Sequence, residues 1–181
     1  YKQGEGTVNI FKKMMKVTKL DPVGIVANVV STITTFSDNY NKIGVSYSSG
    51  AGDYAEWLER ENPNDIIQPA EIIGVRGGKI TRDLNNSEQI MVVSLNPIVR
   101  GNEPHDSIKH LGNDIAFMGQ VPVRVMGKIS SGDYIVAHKE LVGYGYGVPP
   151  KNMTAEDFKY AVGRSWENYD NDGPNLVNSV I

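Results

Sequence analysis

Two carboxylates, Asp53 and Glu56, directly follow a stretch of small residues, "SSGAG" at 48–52. Such a pair can hydrolyse a peptide bond without a metal or a thiol. One carboxylate acts as general base toward water or a hydroxyl, and the other, kept protonated, donates to the carbonyl oxygen or the leaving amine. The glycines tolerate a strained backbone that folds an upstream bond back on the acids, and the Ser49 hydroxyl can attack its own preceding carbonyl. The stretch is therefore a candidate site of self-cleavage.

The spacing of residues 53–61, "DYAEWLERE", predicts a short helix anchored on one side by Trp57 and Leu58. In a helix, Asp53 and Glu56 would lie on the same side of one turn, where one carboxylate favours the protonated form of the other. An ordinary structural explanation is also available, because acids in the first turn complement the helix dipole. These residues alone leave both interpretations open.

Other common site chemistries find little support in the sequence. The chain has no cysteine, which excludes a thiol nucleophile and thiolate metal sites. His105, His110 and His138 lack the spacing of zinc ligands, and the loop with Asp170 and Asp172 lacks the glycine and glutamate positions of an EF-hand. Phosphate-binding glycine loops and the Gly-x-Ser-x-Gly elbow are absent from the sequence. We expect neither a metal nor another cofactor.

The amino-acid composition limits the classes of partner that we expect for the protein. The chain has 181 residues, of which 40% are hydrophobic, and a formal net charge of −3 with acids and bases mixed along it. This balance argues against nucleic acid as a partner. No apolar run approaches the roughly 18 residues that cross a bilayer, so we expect no membrane span.

The pattern of short runs rich in Val, Ile and Thr, separated by glycines and prolines, predicts a mainly β protein with one or two short helices. Thr154 is placed to cap a short helix. A change in composition near residue 49 marks a domain boundary. The predicted β elements are strands at 23–36, 42–47, 89–95, 159–167 and 175–181, a hairpin over 70–84 that turns at Gly77-Gly78, and a hairpin-like unit over 121–139 in which Val121, Val123 and Val125 share a face.

Six motifs follow one another along residues 46–181: "SGAGDYAEWLE", "EIIGVRGGKITR", "VVSLNPIVRGN", "AFMGQVPVRV", "GDYIVA" and "AVGRSWE". In this order the chain resembles the C-terminal intramolecular-chaperone autoprotease domain, of glutamic-peptidase type, found on phage tail appendages and tail fibres. The resemblance implies a homotrimer, with residues 1–49 as the end of a fibre shaft and 50–181 as the chaperone domain. It also places the protein in the virion, or in the host cytoplasm during assembly.

The resemblance implies self-cleavage between Ser49 and Gly50, with Asp53 and Glu56 as the acids. The sequence Gly-Ala-Gly-Asp has a looser hinge than the related motif, so the cut could move by one residue. Hydrogen-bond donors to a developing oxyanion would come from the "SLNPIVRGN" stretch. The candidates in it are Ser94, Asn96 and Asn102.

An alternative is a non-catalytic β-rich module at the tip of a trimeric fibre, which binds a host surface. Exposed aromatic rings would then stack on sugars or contact proteins. The candidates are Tyr144, Tyr146, Trp166 and Tyr169.

Overall fold

The structure, a computed structural model, describes residues 52–181, and within them the protein is mainly β. The predicted shaft at 1–49, its strands, and the bond between Ser49 and Gly50 lie outside the described residues. The described part contains three single-turn 3₁₀ helices, at Lys109–Leu111, Pro150–Asn152 and Asp157–Lys159, and no α-helix. Its ten strands are β1 (Gly52–Glu59), β2 (Ile72–Arg76), β3 (Lys79–Thr81), β4 (Gln89–Val93), β5 (Val99–Gly101), β6 (Gly112–Met126), β7 (Tyr134–Ala137), β8 (Gly145–Val148), β9 (Ala161–Ser165) and β10 (Pro174–Val180).

The 15-residue strand β6 is shared by two groups of strands. Its C-terminal half pairs with β10 and touches β8, and the ring closes through β9 and β7 into a five-stranded barrel. Its N-terminal half pairs with β1 and β4, and β4 continues to β2 and β3. A bridge between Arg60 and Ile80 brings β3 back to the end of β1. Among the strands of residues 52–181, β5 pairs with β1 alone, in parallel.

Two apolar cores lie within the described residues. Val121, Val123 and Val125 of β6 are fully buried in the first, which confirms the predicted valine face, and Ile72 of β2 and Val92 of β4 belong to the same core. The second core consists of Ile67, Ile73, Val75, Ile80, Met91, Val93 and Ile115. The side chains of β6 therefore contribute to both cores.

Several predicted elements are confirmed. Strands β2 and β3 form the hairpin, and its turn places Gly77 at φ 54° and Gly78 at φ 74°. Two positive φ angles in a two-residue turn favour glycine. Strand β4 is buried as predicted, and β9 and β10 lie in the two C-terminal runs. The predicted helix after Thr154 is one 3₁₀ turn, whose Asp157 N–H donates to the Thr154 hydroxyl at 3.2 Å.

Two predictions of local structure are wrong. Residues 53–59 form a strand instead of a helix, because their buried and less buried side chains alternate while the backbone pairs with β6. The 121–139 hairpin does not form either, since β7 pairs with β8 and β9. The predicted turn exists at Ser130–Asp133, but Ile129 before it is buried and bridges to Tyr169, which separates β7 from β6. None of the helical segments within residues 52–181 is long and apolar enough to cross a membrane.

Candidate functional site

Asp53 and Glu56 lie on the same strand but on opposite faces of the sheet. Side chains alternate along a strand, so positions three apart point to opposite sides. Asp53 shares the buried face of β1 with Ala55 and Trp57 and is 2% exposed. Glu56 shares the other face with Tyr54 and is half-buried. The structure therefore does not bring the two predicted acids together within one chain.

The Asp53 carboxyl lies beside the Ser94 hydroxyl in the buried layer. Within the described residues, neither oxygen of Asp53 nor the Ser94 hydroxyl has a hydrogen-bond partner. Burial raises the pKa of Asp53 above its usual range, and the negative charge of Asp114 adds to this effect. The nearby Ser94 hydroxyl acts in the opposite direction without reaching hydrogen-bond geometry. Burial and the charge of Asp114 therefore favour the neutral form of Asp53.

Glu56 has a different environment. The Tyr54 hydroxyl donates a hydrogen bond of 2.5 Å to Glu56 Oε1. Strand β5 runs parallel to β1 and places Gly101 opposite Glu56. The Tyr54 ring packs edge-on against Phe117, with 6.2 Å between the ring centroids. The result is a half-buried carboxylate held by a tyrosine on the outer face of the sheet.

The cation next to Gly101 does not neutralise Glu56. Arg100 is the register partner of Ala55, so its side chain leaves β5 on the face opposite Glu56. There it forms ion pairs with Asp114 at 2.6 Å and with Glu103 at 3.2 Å.

The three predicted oxyanion donors do not converge. Ser94 is buried beside Asp53, whereas Asn96 is exposed on the rim of a surface groove of about 440 Å³. Asn102 has φ 50° and donates its side-chain N–H to the Trp57 carbonyl oxygen at 2.7 Å, so it ties the end of β5 to β1. Their action on an oxyanion stays a prediction. Ser49 and Gly50 precede the first described residue, Gly52, and their roles also stay predictions.

Two features of the site could not be predicted from the sequence. One is the combination of Tyr54 with Gly101, which depends on parallel pairing between distant segments. The other is Glu71, a buried carboxylate that pairs with Arg82 at 2.9 Å and with Arg124 at 3.7 Å. Strand propensity and turn signals are local, so neither feature had a signal in the sequence.

The histidines are engaged in local contacts. His138 Nδ1 accepts the backbone N–H groups of Glu140 and Leu141, and His105 Nδ1 contacts the Ser107 hydroxyl at 2.8 Å. In residues 52–181, no three His, Asp or Glu side chains cluster as metal ligands would.

Comparison with known proteins gives a structural neighbour and no match in sequence. No protein-family profile and no curated protein matches the chain. Among solved structures, the chain is similar to the crystal structure of the bacteriophage phi29 gene product 12 C-terminal fragment. The two share 14% sequence identity with a TM-score of 0.47, over 71% of this chain and 99% of that chain.

Proposed function

We propose that the chain is the C-terminal intramolecular chaperone of a phage-type tail fibre or appendage, which drives homotrimer assembly and cuts itself between Ser49 and Gly50. The observation that carries the proposal is the Glu56 carboxylate, presented on the outer face of β1 and bound by Tyr54. Strand β1 begins two residues after Gly50, so the acid follows the bond closely in sequence. The order of motifs along residues 46–181 supports the same function.

The separate environments of the two acids suggest separate roles. Glu56 accepts a proton from water as the water oxygen attacks the Ser49 carbonyl carbon. The bond from that carbon to the Gly50 nitrogen then breaks, and the leaving amine takes the proton from Glu56, which returns to the carboxylate form. Asp53, buried and favoured in its neutral form, supports the strand that carries Glu56.

Assembly explains why cleavage would wait for the trimer. A shaft of strands from three chains has high contact order and unpaired edges, so a compact domain that associates first would nucleate it. The described domain has large apolar side chains on its surface that another subunit can cover. Among them are Leu95, Met118, Trp166 and Leu176, each more than half exposed. A neighbouring subunit that contacts this surface would complete the site or compress the glycine hinge before Asp53. Assembly would take place in the host cytoplasm and the shaft would remain in the virion.

Intact mass spectrometry combined with light scattering tests the proposal. The wild-type chain should yield a fragment that begins at Gly50, in a particle of trimeric mass. Glu56→Gln should give a full-length trimer, because the amide cannot accept the proton. Continued cleavage of the Glu56→Gln protein would exclude Glu56 as the base, and a full-length monomer would overturn the assembly role.

A second candidate is the non-catalytic fibre-tip module that binds a host surface. The observation in its favour is a surface groove near Trp166. The Trp166 side chain is 52% exposed, and the Trp166 backbone N–H donates to the carbonyl oxygen of Asn178, which lines the groove. The groove is lined by Leu95, Asn96, Gln120, Pro122, Glu167, Leu176 and Asn178. Amides beside an exposed indole suit neutral sugars. Tyr169 is less suitable, because it is half-buried and its hydroxyl donates to the Leu176 carbonyl.

The two candidates predict different results for two variants. Under the binding function, Trp166→Ala abolishes retention on immobilised host-surface glycans, and Glu56→Gln changes nothing. Under the chaperone function, Glu56→Gln stops cleavage, and Trp166→Ala lowers the yield of trimer, because Trp166 belongs to the surface that another subunit would cover.

A further inference from the structure

We infer that Tyr54 and Gly101 are positioning residues for Glu56: the Tyr54 hydroxyl orients the carboxylate, and the absence of a side chain at Gly101 leaves room for the pair. This inference rests on the proposed role of Glu56 in self-cleavage. It adds two residues whose inferred role is to act through Glu56.

The contact between Tyr54 and Glu56 is well defined. The two side chains stand on the same face of β1, two residues apart, and their oxygens are 2.5 Å from each other. Hydrogen bonds from a hydroxyl to a carboxylate are among the short, strong ones. The Tyr54 ring is held in turn by its edge contact with Phe117. The donor is therefore fixed before any substrate arrives.

Glycine is needed at position 101 because a side chain would not fit there, and not because of the backbone conformation. Its φ lies outside the left-handed region, where other residues are strained. A Cβ at this position would lie 2.6 Å from the Tyr54 hydroxyl and 3.0 Å from Glu56 Cγ. Such contacts would push the two side chains apart. The parallel register of β1 and β5 is what places this gap opposite Glu56.

The arrangement leaves one carboxylate oxygen available. Within residues 52–181, Tyr54 is the one side chain that donates a hydrogen bond to Glu56, and it donates to Oε1. Arg100 is bound to Asp114 and Glu103. Oε2 can therefore accept a proton from water or from a hydroxyl while Tyr54 holds the other oxygen.

The test follows cleavage of the 181-residue chain after refolding from denaturant, by intact mass, with the rate expressed per assembled trimer. Tyr54→Phe keeps the ring packing and removes only the donor. We expect a cleavage rate per trimer lower by roughly 10-fold, since a hydrogen bond to a charged group is lost. A purely structural role for Tyr54 would lower the yield of trimer and leave the cleavage rate per trimer unchanged.

The chain offers matched controls. The Tyr169 hydroxyl lies 3.3 Å from Oε2 of Glu167, a glutamate two residues away, and 3.2 Å from the Leu176 carbonyl oxygen, so Tyr169→Phe removes a tyrosine hydroxyl beside a glutamate far from Glu56 in sequence. Gly101→Ala should also slow cleavage, whereas Gly173→Ala, whose Cβ would meet only ordinary contacts, should not. Both controls should keep the wild-type rate.

The outcomes separate the inference from the proposed function. If Glu56→Gln stops cleavage and Tyr54→Phe matches the wild type in cleavage rate per trimer, the positioning role is wrong while the catalytic role of Glu56 stands. If Glu56→Gln still cleaves, or if the wild-type trimer stays uncut, the proposed catalysis fails and the inference fails with it. If Tyr54→Phe does not form trimers, Gly101→Ala decides, and a wild-type rate in that variant overturns the inference.

Discussion

The Asp53 carboxyl and the Ser94 hydroxyl are buried side by side between β1 and the end of β4, and neither forms a hydrogen bond with residues 52–181. Unpaired buried polar groups are costly unless the ionisable one is neutral. The protonation state of Asp53 therefore affects the free energy of unfolding of the domain.

We expect the free energy of unfolding to fall as pH rises above 4, through the raised pKa of Asp53. The folded state keeps the proton that the unfolded chain releases near pH 3.8, so the native state binds more protons in this interval. Asp53→Asn should remove this dependence and be more stable than the wild type at pH 7. Denaturant titrations between pH 4 and 8, at one protein concentration, measure the difference between the two proteins.

The matched control is Asp172→Asn, a substitution at an exposed aspartate. It should follow the wild-type pH dependence. Parallel curves for the wild type and Asp53→Asn would mean that Asp53 is ionised in the folded domain.

A second prediction concerns the buried carboxylate of Glu71. Its oxygens pair with Arg82 and Arg124 and accept the backbone N–H of Gln68 at 3.1 Å. Glu71→Gln leaves two guanidinium groups without their counter-charge, and should lower the free energy of unfolding by roughly 3 kcal/mol. Thermal and denaturant unfolding provide the measurement.

Glu140 is exposed and serves as the control, because Glu140→Gln should change stability by less than about 0.5 kcal/mol. If Glu71→Gln also changed the free energy of unfolding by less than about 0.5 kcal/mol, the ion pairs to Arg82 and Arg124 would contribute little to stability in solution.

Much of the fold follows from patterns that the sequence shows locally. Alternation predicts the valine face of β6, and Gly77-Gly78 predicts the turn between β2 and β3. The nine residues from Asp53 to Glu61 fit both a helical and a strand period, and pairing with β6 decides between them. Pairing partners distant in the chain could not be predicted, because they depend on the closing of the barrel.

The candidate site shows the same division. Asp53, Glu56 and Ser94 were identified from residue type, and the structure does bring Asp53 close to Ser94. Asp53 and Glu56 point to opposite faces because this segment is a strand, whereas the predicted helix would have placed them on the same side. Gly101 beside Glu56 arises from parallel pairing across 45 residues, for which a single sequence has no signal.

Gly119 of β6 pairs with Asp53 of β1, one residue before β6 begins to pair with the barrel strand β10. Its φ is 115°, and a Cβ there would collide with the Gly52 carbonyl oxygen and approach Asp53 Cα to 2.9 Å. Gly119 also exchanges backbone hydrogen bonds with Ile181. Gly119→Ala should therefore lower the free energy of unfolding by roughly 2–4 kcal/mol, from strain and overpacking combined. Denaturant unfolding measures this loss, with Gly173→Ala as the glycine substitution that meets no close contact. If the two variants were equally stable, β1 and β6 could separate at Gly119 without lowering the free energy of unfolding. Strand β1 would then not be held by β6 at this point.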